Sequence, residues 1–139
     1  VEVPVQKADP KKELERLKGD WKTVSLEMGG EKLPDAVAEK LGFAFGPDRV
    51  TIKGKLAQGG GQYVVRDGSE DFPFTIDPAK KVAEIDIEIK EKEFAKGIYK
   101  FDGEELAVCL DYSRADRATK FETKDNPAHA LYRLKKEKP

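Results

Sequence analysis

The sequence predicts an all-β domain, an antiparallel up-and-down barrel of about eight strands with one or two short helices. Two observations support this prediction. Short segments of alternating apolar and polar residues recur along the chain, and Gly, Pro, Asn or Asp separate them at regular intervals. Helical signals are confined to two short stretches in the N-terminal part. Because this pattern is also typical of a β-sandwich, the choice of a barrel needs further evidence.

The 139 residues are enough for one domain with a hydrophobic core and too few for two. We expect residues 1–8 to be a flexible leader and residues 9–136 to form the barrel domain. Asp9-Pro10 is a favourable helix start, so a short helix is predicted over 11–18. A second is predicted over 34–41, ended by Gly42.

Strands are predicted wherever side chains alternate in character. The clearest runs over 83–89, where Ala83 and three isoleucines alternate with Glu84, Asp86 and Glu88, which we expect on the solvated outer face. Asp102-Gly103 predicts a tight hairpin turn. The other predicted strands cover 21–27, 43–45, 49–53, 72–76, 98–101, 105–112, 119–123 and 129–135.

A glycine, one intervening residue and a tryptophan begin the first predicted strand, at Gly19 and Trp21. This pattern resembles the Gly-x-Trp signature of the lipocalin-like (calycin) barrels, in which the tryptophan plugs one end of the barrel. In that family an arginine of the last strand stacks on the indole. The resemblance therefore implies that Arg133 covers Trp21 in a cation–π contact.

Longer stretches resemble the lipocalin-like domains of unknown function found in planctomycete bacteria. The matching segments are 17–25, 32–34, 49–53, 77–81, 96–99, 102–106 and 117–121. Ala118 departs from the family, whose members usually carry proline there. The resemblance implies a calycin-type barrel and an extracytoplasmic location, periplasmic or secreted, because members commonly carry export signals. The chain begins at Val1 without methionine, which fits trimming by a signal peptidase or by recombinant design.

Composition narrows the classes of partner. The 26 basic and 27 acidic residues give a net charge of -1, so no overall positive field attracts nucleic acid or an anionic membrane. No apolar run reaches the ~20 residues of a membrane-spanning helix, and we expect no membrane insertion. Cys109 is the only cysteine and His129 the only histidine. We therefore predict no internal disulfide, no metal site and no cofactor.

No arrangement of residues typical of catalysis is recognisable. As a general base, His129 would need a nucleophile beside it. Neither the serines nor Cys109 lie in a recognisable catalytic motif. The run Gly59–Gly61 lacks the Lys-Ser/Thr ending of a phosphate-binding loop. We therefore predict that the protein is not an enzyme.

The predicted ligand site is the barrel interior, because eight strands leave room either for packed side chains or for one small ligand. The residues predicted to line it are Phe43, Phe45, Phe72, Phe74, Ile85, Ile87, Tyr99 and Phe121. Further apolar residues predicted to fill it are Ile98, Leu106, Val108, Leu110 and Leu131. Arg114 and Arg117 are predicted in a loop at the barrel mouth, where they would meet an anionic head group.

Two functions are compatible with this sequence. The first is binding of a small apolar or amphipathic ligand inside the barrel. The second is a non-enzymatic protein-interaction or structural module whose barrel is filled. The candidate partners are accordingly a small lipophilic ligand and another protein, and the sequence does not define an oligomeric state.

Overall fold

The computed structural model describes residues 10–59, 62–112, 117–124 and 128–137. The predicted leader and Arg114 lie outside this part of the chain. The helices are α1 (Pro10–Leu17) and α2 (Asp35–Ala38). The strands are β1 (Gly19–Met28), β2 (Glu31–Lys32), β3 (Gly42–Phe45), β4 (Arg49–Gly59), β5 (Gln62–Asp77), β6 (Glu84–Lys90), β7 (Glu93–Asp102), β8 (Glu105–Asp111) and β9 (His129–Lys136).

Strands β1 and β3–β9 form a closed antiparallel barrel. Each strand from β3 to β9 pairs with the next along the chain, and β1 pairs with β3 on one side and β9 on the other. The short β2 forms a hairpin with the end of β1. Because the β1–β9 pairing joins the two edges of the sheet, the structure is a barrel rather than a sandwich. The predicted all-β up-and-down barrel with two short helices is confirmed.

The barrel interior is packed with apolar side chains from alternate positions of the strands. Phe74 lies opposite Ile87, and both side chains belong to the main core. Phe45 and Phe74 meet edge to face, with ring centroids 5.3 Å apart. Ile85 and Ile87 are each only 1% exposed, so the inner face predicted for β6 is confirmed.

Strands β4 and β5 extend well beyond the alternating segments that predicted them. β3 pairs with β4 only as far as Lys53, and β6 pairs with β5 only from Phe74 onward. Between these points the two strands pair with each other. We call residues 54–69 the hairpin arm, because its described residues project beyond the barrel wall as a two-stranded ribbon.

Helix α1 covers one end of the barrel, which we call the helix end. Leu17 is fully buried, and its carbonyl oxygen accepts a hydrogen bond of 2.7 Å from Trp21 Nε1. Tyr99 donates its hydroxyl proton to Glu13 Oε1 at 3.2 Å. These contacts tie the helix to the tryptophan and to β7.

The predicted stacking of Arg133 on Trp21 is wrong. Trp21 lies opposite Lys136 in the β1–β9 pair, whereas Arg133 lies opposite Ser25. Arg133 points to the outer face, where its guanidinium lies 3.7 Å from the Asp102 carboxylate. Lys136 Nζ lies 5.6 Å from the indole centroid and provides the cationic contact.

The segment 117–124 crosses the outside of the barrel as an irregular strap, where the sequence predicted a strand over 119–123. At one end Arg117 lies 2.7 Å from Asp86 of β6 and donates to the carbonyl oxygen of Gly97 at 2.9 Å. At the other end Thr123 donates to Glu27 of β1 at 2.7 Å. The strap therefore connects β6 to β1 across the strands between them. The assignment of Arg117 to a ligand-binding mouth loop is wrong, because its side chain is bound to the outer wall.

The strap covers an apolar cluster on the outer face of β7, β8 and β9. Phe121 of the strap packs there, so its predicted place in the interior is wrong. Ile98 and Leu131 were also predicted inside and belong to this outer cluster. These strands therefore bury apolar residues on both faces, and alternation cannot distinguish inside from outside.

Cys109 lies beneath the strap and provides a probe of its attachment. The thiol is fully buried with Sγ 3.8 Å from the carbonyl oxygen of Glu122, and burial raises the pKa of the thiol to about 11. Native protein at about pH 8 is expected to react with Ellman's reagent ~100-fold more slowly than urea-unfolded protein. The reagent has little access to the buried thiol, and only a small fraction of the thiol is ionised. The rate should increase with pH up to about 11, as the thiolate forms.

Replacing Arg117 by glutamine removes the strap's ion pair with Asp86 and should accelerate this labelling about tenfold. Arg133→Gln is the matched control, because its guanidinium lies beside Asp102 on the outer wall. Equal labelling rates in the two variants would show that Arg117 does not anchor the strap.

Candidate ligand-binding site

A cavity of about 290 Å³ lies at the barrel end opposite α1, which we call the cavity end. This volume is near the lower limit of small-molecule pockets, roughly 300 Å³. The lining residues come from several strand ends and from the segment after α2. They are Met28, Leu41, Phe43, Ile52, Gly54, Tyr112 and Tyr132.

The strand pairing places the lining side chains on a common inner face. Phe43 of β3 lies directly opposite Ile52 of β4. Met28 is the last residue of β1, and Tyr112 follows the last residue of β8. Tyr132 of β9 meets Phe43 edge to face, with ring centroids 5.1 Å apart. The lining side chains thus come from neighbouring strands, from β8 through β9, β1 and β3 to β4.

The segment after α2 and the hairpin arm form the rim. Leu41 accepts a backbone hydrogen bond from Thr23 at 3.2 Å, which ties it to β1. Gly54 has a φ of +85°, and a Cβ there would lie 2.7 Å from the carbonyl oxygen of Lys40. Only glycine allows the hairpin arm to approach the segment after α2 this closely.

Tyr112 and Tyr132 are the two lining residues whose side chains carry a polar group. The hydroxyl oxygens of Tyr112 and Tyr132 lie 2.8 Å apart, so one donates a hydrogen bond to the other. Burial raises the pKa of both phenols. Both hydroxyls therefore keep their protons at neutral pH. None of the seven lining residues is charged, so the site can exclude water from an apolar molecule and offer it a hydrogen bond.

The structure separates the residues predicted from sequence to line the interior. Phe43 lines the cavity. Tyr99 lies at the helix end, bonded to Glu13, and Trp21 lies there too, bonded to Leu17, as does Gly19 at the start of β1. The remaining predicted residues that pack in or against the main core are Phe45, Phe72, Phe74, Ile85 and Ile87.

Sequence reasoning missed six of the seven lining residues. They are Met28, Leu41, Ile52, Gly54, Tyr112 and Tyr132. The sequence did hold a signal that Tyr132 faces inward. The charge of Arg133 indicates that odd-numbered residues of this strand face outward, so even-numbered residues face the interior. Leu131 was placed inside instead, which assigned the wrong face to the tyrosine.

The other candidate chemistry lies away from this cavity. His129 Nε2 is 2.9 Å from Asp111 Oδ2, and these residues are opposite each other where β8 and β9 meet. Across 10–59, 62–112, 117–124 and 128–137, no three His, Cys, Asp or Glu side chains are placed to hold a metal ion. Neither helix described is long and apolar enough to cross a bilayer.

Comparison with known proteins provides no relative. No protein-family model, curated protein or solved structure matches this chain. The resemblance to the planctomycete lipocalin-like domains therefore stays a prediction from the sequence.

Proposed function

We propose that the protein binds a small, largely apolar molecule in the cavity at the cavity end of the barrel. The observation that supports this most directly is the apolar, partly enclosed space of about 290 Å³ beside a packed core. Transfer of apolar ligand surface from water into this space is favourable by about 25 cal/mol per Å². The protein acts as a binding module rather than an enzyme under this proposal.

An extracytoplasmic location is part of the proposal. Its support is the resemblance to the planctomycete domains, whose members commonly carry export signals. A binding protein outside the cytoplasm would meet small lipophilic molecules before they enter the cell. Immunodetection in fractionated cells of the source organism tests this location.

The hairpin arm favours the alternative of a protein-interaction module. Residues 62–72 of β5 pair with β4 and not with β6, so one strand edge is open within the described residues. Val64 on this strand is 43% exposed. An open edge is a surface on which a strand of another protein can pair. This function requires no ligand in the cavity.

Met28 provides a direct test of ligand binding, because it is the only methionine and lines the cavity. Labelling with methyl-carbon-13 methionine gives a resonance at the site, which Met28→Leu assigns by its loss. Titration with neutral bicyclic compounds of suitable size is expected to shift this resonance in a saturable manner. The shift is expected because ring currents and displaced water change the methyl environment.

Replacing Ile52 by phenylalanine places a larger side chain in the cavity and should weaken this binding about tenfold or more. Val24→Phe is the control, because Val24 is 41% exposed on the outer face of β1. If none of the compounds shifts the Met28 methyl resonance, the ligand-binding proposal fails and the interaction module is preferred.

A further inference from the structure

The hydroxyl pair at the cavity has one more proton than its own hydrogen bond uses. Tyr112 and Tyr132 each carry one hydroxyl proton, and their mutual contact at 2.8 Å uses one of them. Among the described residues, neither hydroxyl makes a second hydrogen bond. One phenolic donor is therefore available to a molecule in the cavity.

An available donor discriminates between occupants of the cavity. In a cavity without a ligand, a water molecule would accept this hydrogen bond. A hydrocarbon that displaces the water leaves the donor unpaired, which costs free energy in an apolar site. A molecule with an acceptor oxygen at the same point restores the hydrogen bond and avoids that cost.

The cavity lining also selects against charged ligands. None of the seven lining residues carries a cation that would pair with a carboxylate or phosphate. Placing an anion among these apolar side chains would remove its hydration without compensation. The raised pKa of both phenols means that the pair provides no phenolate to attract a cation at neutral pH.

The volume sets the size of the molecule. An apolar cavity of about 150 Å³ holds a benzene molecule. The cavity here is about 290 Å³, so it suits a molecule of roughly nine to twelve non-hydrogen atoms. A long acyl chain does not fit in this space.

We infer that the ligand is a compact neutral molecule whose single polar group is an oxygen acceptor, such as a ketone, held by the Tyr112–Tyr132 hydroxyl pair. This inference rests on the proposed function and adds the chemical class of the ligand. It places the apolar body of the ligand against Met28, Phe43 and Ile52. It places the oxygen within reach of the two phenols.

The test compares the ketone 1-indanone with the hydrocarbon indane, which has the same ring system without the oxygen. Dissociation constants come from titration of the Met28 methyl resonance. The ratio of the indane to the indanone constant is measured in the native protein and in the double variant Tyr112→Phe/Tyr132→Phe. We expect the ratio to be about three- to tenfold larger in the native protein, because a neutral hydrogen bond contributes that much.

Tyr99→Phe is the matched control. It also removes a buried phenolic hydroxyl, but that hydroxyl binds Glu13 at the helix end. The ratio should therefore equal that of the native protein. Indane-2-carboxylate should not compete with either compound, because the cavity lining offers no cation.

The outcomes separate this inference from the function on which it rests. Saturable binding of both compounds with the same ratio in the native protein and the double variant would overturn the inference and leave the binding function intact. Competition by the carboxylate would overturn the neutral class of ligand. Binding of neither compound counts against the proposed function itself.

A second measurement needs no folded variant. The infrared carbonyl stretch of 1-indanone bound to the native protein is expected below its position in hexane, because a phenolic donor weakens the C=O bond. A carbonyl band at the hexane position in the bound state would exclude the hydrogen bond and overturn the inference.

Discussion

Replacing Trp21 by alanine is expected to lower the free energy of unfolding by about 3–5 kcal/mol. Trp21 is 5% exposed and donates its indole proton to the Leu17 carbonyl oxygen at 2.7 Å. Its ring lies 6.3 Å from that of Phe101, measured between centroids. The variant loses packing beneath α1 together with the bond that holds the helix. Urea unfolding followed by circular dichroism measures the effect without the tryptophan signal.

Trp21→Phe separates packing from hydrogen bonding, because it keeps an aromatic ring and loses the Nε1 donor. Its expected cost is smaller, about 1–3 kcal/mol, since the Leu17 carbonyl oxygen loses its indole donor and a smaller ring fills the site. A loss below about 1 kcal/mol in the alanine variant would be inconsistent with a tryptophan that plugs the barrel.

Replacing Gly97 by alanine is expected to cost about 3 kcal/mol or more. A Cβ on Gly97 would overlap the backbone carbonyl oxygen of Cys109 and lie 2.9 Å from Leu110 Cδ2. Relief of this overlap requires β7 and β8 to separate, since a backbone oxygen cannot rotate away. The carbonyl oxygen of Gly97 also accepts a hydrogen bond from Arg117, so the strap loses part of its anchor. Denaturant unfolding measures the loss.

Gly103→Ala is the control for conformational effects without overlap. Gly103 has a φ of +63°, and a Cβ there would meet nothing within 4 Å. Its expected cost is about 1 kcal/mol, from the left-handed backbone alone. Equal losses in the two variants would show that β7 and β8 are less closely packed at Gly97 than the structure describes.

The fold was predictable from sequence because its main features are local. Alternation over 83–89 assigned the inner face of β6 correctly, and the helix signals located both helices. The turn after Asp102 was also found, and Asp102 and Glu105 are its last paired residues. Each of these features depends on neighbours within a few positions.

The errors arise where distant parts of the chain meet. Phe121 was predicted in the interior because residues 119–123 were predicted to form a strand of the barrel. The local pattern does not show that this segment crosses the outer wall as the strap. Arg133 was misplaced because the register of β9 against β1 sets Trp21 opposite Lys136 and Arg133 opposite Ser25. Register between strands so far apart in the chain is not determined by composition.

The candidate site was only partly predictable for a related reason. Phe43 was identified as an inner residue, but a cavity is space left unfilled after all the side chains have packed. That space depends on Gly54, which lets the hairpin arm approach the segment after α2, and on two tyrosines far apart in the sequence. Neither relation is visible in one segment of sequence.

Closure of the barrel by β1 and β9 has a consequence for how the chain folds. Trp21 pairs with Lys136, so two segments far apart in the sequence must meet before the barrel closes. Contacts at such sequence separation carry a large loop-closure entropy and slow folding. During synthesis, the edge of β1 that pairs with β9 stays unpaired until β9 has left the ribosome. The nascent barrel is therefore prone to aggregation until β9 emerges and pairs with β1.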